Sequence, residues 1–202
     1  MRKTLALAAL CLACAACNGN ILSYDQRQLL AAPSQSYTGS IPNPWYLYQE
    51  SFMTGSWFQG IAVWDNYHWV TVDPASTQSP YSGGHCLRVN YDNTKGFSPT
   101  WAETAFIHTP DYSGFAGTPG RDISAGGFTK CRFMLRTSVP ANVPFQMDGV
   151  SAVSVPATTS WQLVTIALPA PATQTTVKTF FQVNTPSVMP LDIFIDDLRY
   201  EQ

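Results

Sequence analysis

Two groups of residues in this chain have the types and spacing to do chemistry. The first is aromatic. Val63-Trp-Asp-Asn-Tyr-His-Trp69 places three large rings within six positions, shortly after Trp57-Phe58. A sugar ring offers a flat face of C–H groups and an edge of hydroxyls. An exposed indole suits the face, and Asp, Asn, Gln or Arg suits the edge. Trp64, Asp65, Asn66, Tyr67, His68 and Trp69 supply both kinds of group, and they are the candidate ligand-binding residues. The competing reading is that these rings fill a core. Strand alternation puts Trp64 and Trp69 on opposite faces, so an exposed ring is expected among Trp64, Tyr67 and Trp69.

The second group closes the chain: Leu191-Asp-Ile-Phe-Ile-Asp-Asp-Leu-Arg-Tyr-Glu201. In a regular strand, Phe194, Asp196, Leu198 and Tyr200 share one face, which puts an acid beside core residues. A lone ionised carboxylate does not stay in a core without a partner. Calcium held by oxygen ligands is one such partner. Turn amides that donate to Asp196 are another, and Arg136 or Arg132 a third.

Other reactive patterns are missing. There is no G-x-S-x-G, no H-E-x-x-H and no phosphate-cradling glycine loop. Glu50, Asp65, Asp73, Glu103 and Asp111 include enough acids for a glycosidase pair, but scattered acids of this kind are the rule on soluble surfaces. The chain is not basic enough for nucleic acid and has no Lys/Arg cluster.

These residues must be positioned by strands. Short alternating runs recur at 86–91, 102–107, 130–136, 162–168, 178–183 and 193–200, separated by Gly, Pro, Asn and Asp, with no long helical period. The expected class is all-β, an antiparallel β-sandwich or barrel. Leu87, Val89 and Tyr91 form one inward row, and Cys131, Phe133 and Leu135 another. Cys86 points away from Leu87 and Val89. This argues against a simple core disulfide with Cys131 and favours a buried free thiol there.

Several segments together resemble carbohydrate-binding modules with a galactose-binding-like jelly roll. They are Tyr81-Ser-Gly-Gly-His-Cys-Leu-Arg-Val-Asn-Tyr91, Trp101-Ala-Glu-Thr-Ala-Phe106, the stretch from Gly120-Arg-Asp-Ile-Ser to Arg136, Trp161-Gln-Leu-Val-Thr-Ile-Ala-Leu168 and the closing Asp-Asp strand. The resemblance runs from about Ser51 to the end and keeps the order of the parts. It implies a jelly-roll sandwich that binds polysaccharide or oligosaccharide without catalysis. It also implies a structural calcium ion joining the first strand to the last, with Asp196 and Glu50 as its ligands. Trp101 and Trp161 fall at strand starts, as core or near-core rings. A structural or adhesive surface protein, and a glycan lyase or hydrolase, are the other two functional classes the same scaffold could serve.

The front of the chain reads as a secretory leader: Met1-Arg-Lys, an apolar run over 5–13, then small residues. Ala15-Ala16 before Cys17 marks a lipoprotein-type cleavage site, so residues 1–16 form the signal peptide and Cys17 carries the lipid. The C-x-x-C-x-x-C spacing of Cys11, Cys14 and Cys17 has a metal-cluster look, but it lies in or at the edge of a removed segment. Loss of Arg2 and Lys3 takes eleven basic residues to nine against thirteen acids, a net charge of about −4. Residues 17–44, rich in Ser, Gln, Pro and Asn, read as a tether. Residues 45–202 form the domain. The expected setting is outside the cytoplasm, membrane-held through the lipid, at the outer membrane or cell surface. Glycan-processing enzymes or transporters are the expected neighbours. Asn18 is not the Asp of an inner-membrane retention signal.

Overall fold

The computed structural model describes residues 41–50, 61–64, 69–95, 104–108 and 120–202. The leader, Cys17 and most of the tether lie outside these residues, as do Asp65, Asn66, Tyr67, His68, Trp101, Glu103 and Asp111.

Eleven strands are present among the described residues: β1 (Trp45–Tyr48), β2 (Ile61–Trp64), β3 (Val70–Ser76), β4 (Cys86–Tyr91), β5 (Thr104–His108), β6 (Lys130–Thr137), β7 (Ala141–Met147), β8 (Val150–Ala157), β9 (Gln162–Ala167), β10 (Thr179–Asn184) and β11 (Leu191–Glu201). They form two antiparallel sheets. The first has the order β3-β4-β11-β6-β9, and β1 joins it alongside the second half of β11. The second has the order β2-β5-β10-β7-β8. All six expected strands exist, with ends shifted by one or two residues. The four-residue strands β1 and β2 fall outside that pattern, as do the runs at 70–76, 141–147 and 150–157. Pro74, Pro144 and Pro156 interrupt those runs, and proline normally demotes a strand.

The sheets face each other across one core. β6 supplies Cys131, Phe133, Leu135 and Thr137, all fully buried, and its alternate residues are half-exposed. Across the gap, Phe133 meets Phe145 at 4.8 Å and Phe181 at 5.1 Å, both edge-on. Such T-shaped pairs place a ring's positive edge on its neighbour's negative face. Cys86 and Cys131 are both buried and free. The Cys86 thiol donates to the Ser76 carbonyl at 3.6 Å.

Two tyrosines cross the core to hold one strand of the second sheet. Tyr91 on β4 donates its hydroxyl to the Val183 carbonyl at 2.7 Å. Tyr200 on β11 donates to the Phe180 carbonyl. Both accepting groups lie on β10. A buried phenol needs an acceptor, and here the acceptor is backbone of the opposite layer.

Regular alternation fails at one informative place. Register shifts between Asp196 and Arg199 in the β6–β11 pairing, and Asp197 has φ +49°. This β-bulge inserts a residue. Ile193, Ile195, Leu198 and Tyr200 therefore all face the core, and Asp196 lies on the outer side with Phe194. The expectation that Asp196 shares a face with Leu198 and Tyr200 is corrected by that extra residue.

Candidate functional site

Asp196 is outside the core yet fully buried, because a loop covers it. Its Oδ2 accepts from the Tyr81 and Ser82 amides, each at 3.0 Å, and its Oδ1 from its neighbour Asp197 N at 2.8 Å. Glu50, just past β1, receives the same loop two residues further on. Its carboxylate accepts from Gly84 N at 3.1 and 2.9 Å and from His85 N at 3.1 Å. Gly83 has φ +57°, and a Cβ there would fall 1.3 Å from Glu50 Oε1, so only glycine lets the loop lie this close. Burial raises the Asp196 pKa and outweighs the amide hydrogen bonds that lower it. The Gly84 amide, above all, holds Glu50 below its ordinary value.

The two acids expected to hold calcium are thus brought to one loop, and both carboxylates meet N–H groups there. A cation needs negative oxygen density directed at it, whereas these oxygens are directed at positive amide hydrogens. Among the described residues, no three His, Cys, Asp or Glu side chains gather as a metal set. The donor set does not fit calcium. It fits the turn-amide reading.

The outer face of the first sheet is charged and internally paired. Arg88 lies 2.8 Å from Asp192, which also accepts from Asn90 at 2.8 Å. Glu201 takes Arg132 at 3.1 Å and Arg199 at 2.6 Å. The Arg136 guanidinium stacks 3.7 Å above Phe194 and 5.1 Å from Trp161. Trp161 is half-buried at the edge of this face. Its indole N–H donates to the Ser79 carbonyl at 3.1 Å, and its ring meets the exposed Tyr81 edge-on. Arg136 and Trp161 therefore clamp the same loop that Asp196 and Glu50 cap.

The second sheet is different. Phe181 and Val183 of β10 are buried, so Gln182 and Asn184 between and beyond them face outward. Gln146 of β7 sits opposite Gln182. The three amides form a chain: Gln182 Nε2 donates to Asn184 Oδ1, and Asn184 Nδ2 donates to Gln146 Oε1 at 3.5 Å. A donor at Gln146 Nε2 and an acceptor at Gln182 Oε1 lie at its two ends. Backbone register continues across β5 and β2. Gln182 pairs with Phe106, which pairs with Ala62; Asn184 pairs with Thr104, which pairs with Trp64. Directly opposed positions share a face. The Trp64 backbone position therefore lies two strands from Asn184.

Of the expected ligand-binding residues, Trp64 ends β2, its backbone paired with Thr104; its side chain, and Asp65 to His68, lie outside the described residues. Trp69 is corrected: it is 3% exposed, so it offers no open ring to a ligand. Among the glycosidase-type acids, Glu50 caps the loop, and Asp73 accepts from Ala75 N at 3.0 Å. Sequence reasoning passed over Gln146, Gln182 and Asn184. A signal was available: Gln146 lies between Phe145 and Met147, and Gln182 between Phe181 and Val183. An amide flanked by core residues in a strand must face out.

No protein-family model matches the chain, and no curated protein matches it. Solved structures with some likeness include a family 29 carbohydrate-binding module complexed with mannohexaose. It has 8% identity and a TM-score of 0.44, over 76% of this chain and 86% of that one. A family 11 module from Clostridium thermocellum, in complex with a β-1,3-1,4-mixed-linked tetrasaccharide, has 13% identity and a TM-score of 0.44, over 72% and 88%. A xylan-binding domain from Paenibacillus barcinonensis has 13% identity and a TM-score of 0.47, over 79% and 95%. Likeness at this level assigns no ligand. The solved structures this chain resembles are nonetheless carbohydrate-binding modules.

Proposed function

We propose that this chain is a non-catalytic carbohydrate-binding lipoprotein, held to a bacterial membrane through Cys17, that retains a polysaccharide near the cell. The observation that carries the binding reading is the amide chain Gln146–Asn184–Gln182 on an outer sheet face. Each amide offers both a donor and an acceptor. Sugar hydroxyls need both. A row of amides on a sheet face suits an extended ligand better than a deep pocket does. The leader and Ala15-Ala16-Cys17 support the anchor.

The test is affinity electrophoresis of the full chain in detergent through gels containing a broad set of polysaccharides, alongside Gln182→Ala and Trp64→Ala. Retardation by a defined glycan, lost in both variants while their circular dichroism is unchanged, supports the reading. Folded protein that no glycan retards points to the structural or adhesive alternative. Cys17→Ala should leave the chain in the soluble fraction; continued membrane association refutes the anchor.

A further inference from the structure

One side of the sandwich carries two unprotected edges. β8 ends the second sheet and β9 ends the first. Gln162 Nε2 on β9 donates to the Pro156 carbonyl on β8 at 2.7 Å, so the two edges lie side by side. Their eight and six residues, VSAVSVPA and QLVTIA, include no Asp, Glu, Lys, Arg or His. The other edge strands among the described residues are blunted: β3 carries Asp73 and Pro74, and β1 and β2 have four residues each. A long edge without charge offers its row of backbone N–H and C=O groups to another strand. Pro156 stands next to the end of β8 and leaves 150–155 open. Core-type side chains are open there too. Val153 opposes the fully buried Phe145, which puts it on the core side of β8, yet it is 37% exposed. Leu163 on β9 is 49% exposed.

We infer that this side docks on the same side of a second copy of the chain, β8 against β8 and β9 against β9, as a closed dimer. A twofold axis perpendicular to the sheets runs each edge antiparallel to its copy. One operator therefore continues both layers and leaves neither edge open. An axis through Ser154 sets that residue opposite its own copy. It also sets Val153 opposite Val155 of the second copy on the core side, where each covers the other. Charge selects a second copy over a different partner. In an isologous contact every residue meets its own equivalents, so any charge on these edges would face its like. β8 and β9 bring no such pair together. The inference is independent of what the domain binds.

The experiment is analytical ultracentrifugation of the full chain in density-matched detergent, alongside a double variant, Ser154→Lys with Leu163→Lys. Both positions are exposed, and each lysine charges one edge. The parent should sediment at twice the mass of the chain. The double variant, with unchanged circular dichroism, should sediment at the single mass, its dimer dissociation constant raised at least roughly tenfold. A second measurement places the contact. Ser154→Cys should cross-link to its own copy on mild oxidation, located by peptide mapping, and Val139→Cys, exposed in the turn between β6 and β7, should not. A parent chain that stays single up to about 100 μM overturns the inference. So does a double variant that keeps the pair, cross-linking at 139 in place of 154, or open-ended association.

Discussion

Replacing Asp196 by alanine tests whether the covering loop is held by amide capping. Three backbone N–H groups lose their acceptor: Tyr81, Ser82 and Asp197. A buried donor left unsatisfied costs about 1–3 kcal/mol, and hydrogen bonds to a charged group lie at the upper end. Two terms oppose the full sum. The loop can lift and let water reach Tyr81 and Ser82, and removing a buried carboxylate recovers its desolvation cost. The net expectation is a loss of about 2–4 kcal/mol for Asp196→Ala, and about half that for Asp196→Asn, which keeps one oxygen. Urea unfolding followed by tryptophan fluorescence measures both, provided the m-value stays constant. The pH dependence has a definite sign. Burial raises the native pKa of Asp196, so its contribution is fully present below the unfolded value and is lost as pH rises through the native one. Wild type should therefore gain on Asp196→Asn as pH falls through that interval. An Asp196→Ala variant within about 0.5 kcal/mol of wild type would refute the capping argument.

Three further outcomes follow from the same structure. Phe133→Ala removes a ring packed on Phe145 and Phe181 and should cost about 3–5 kcal/mol, read as a lowered thermal midpoint. Burial pushes the Cys86 thiol up to about 11, with Asp196 adding to the rise, and raises Cys131 as well. Peptide mapping after thiol labelling should find both unlabelled in native protein and both labelled in guanidinium. Because Asp196 and Glu50 meet amides, adding calcium or EDTA should leave the thermal midpoint unchanged; a rise with calcium that EDTA reverses would restore the metal reading.

The sequence disclosed the sandwich wherever alternation was uninterrupted, as in β4 and β6. It concealed β3, β7 and β8, because proline is a poor guide to strands whose hydrogen-bonding demands are set by their neighbours, and β1 and β2, whose four residues are too few to show a period. Asp196 shows a different limit. Alternation correctly flagged an acid in trouble, and turn amides were among the partners considered. The bulge that moves Asp196 to the other face depends on Asp197 adopting positive φ, which spacing alone does not reveal. Glu50 was linked to Asp196 through a metal, and the two do converge, on a loop. Trp69 failed as a ligand residue for a simpler reason: exposure depends on what the neighbouring layer covers.

The tyrosine struts have a consequence for how freely recognition can change. β10 is pinned from within by Tyr91 and Tyr200, through its own carbonyls. The strand is therefore held through its backbone independently of the side chains at 182 and 184, whose bonds run to each other and to Gln146. A lineage could exchange its outer amides for other groups, and so acquire a new specificity, while the scaffold beneath keeps its stability.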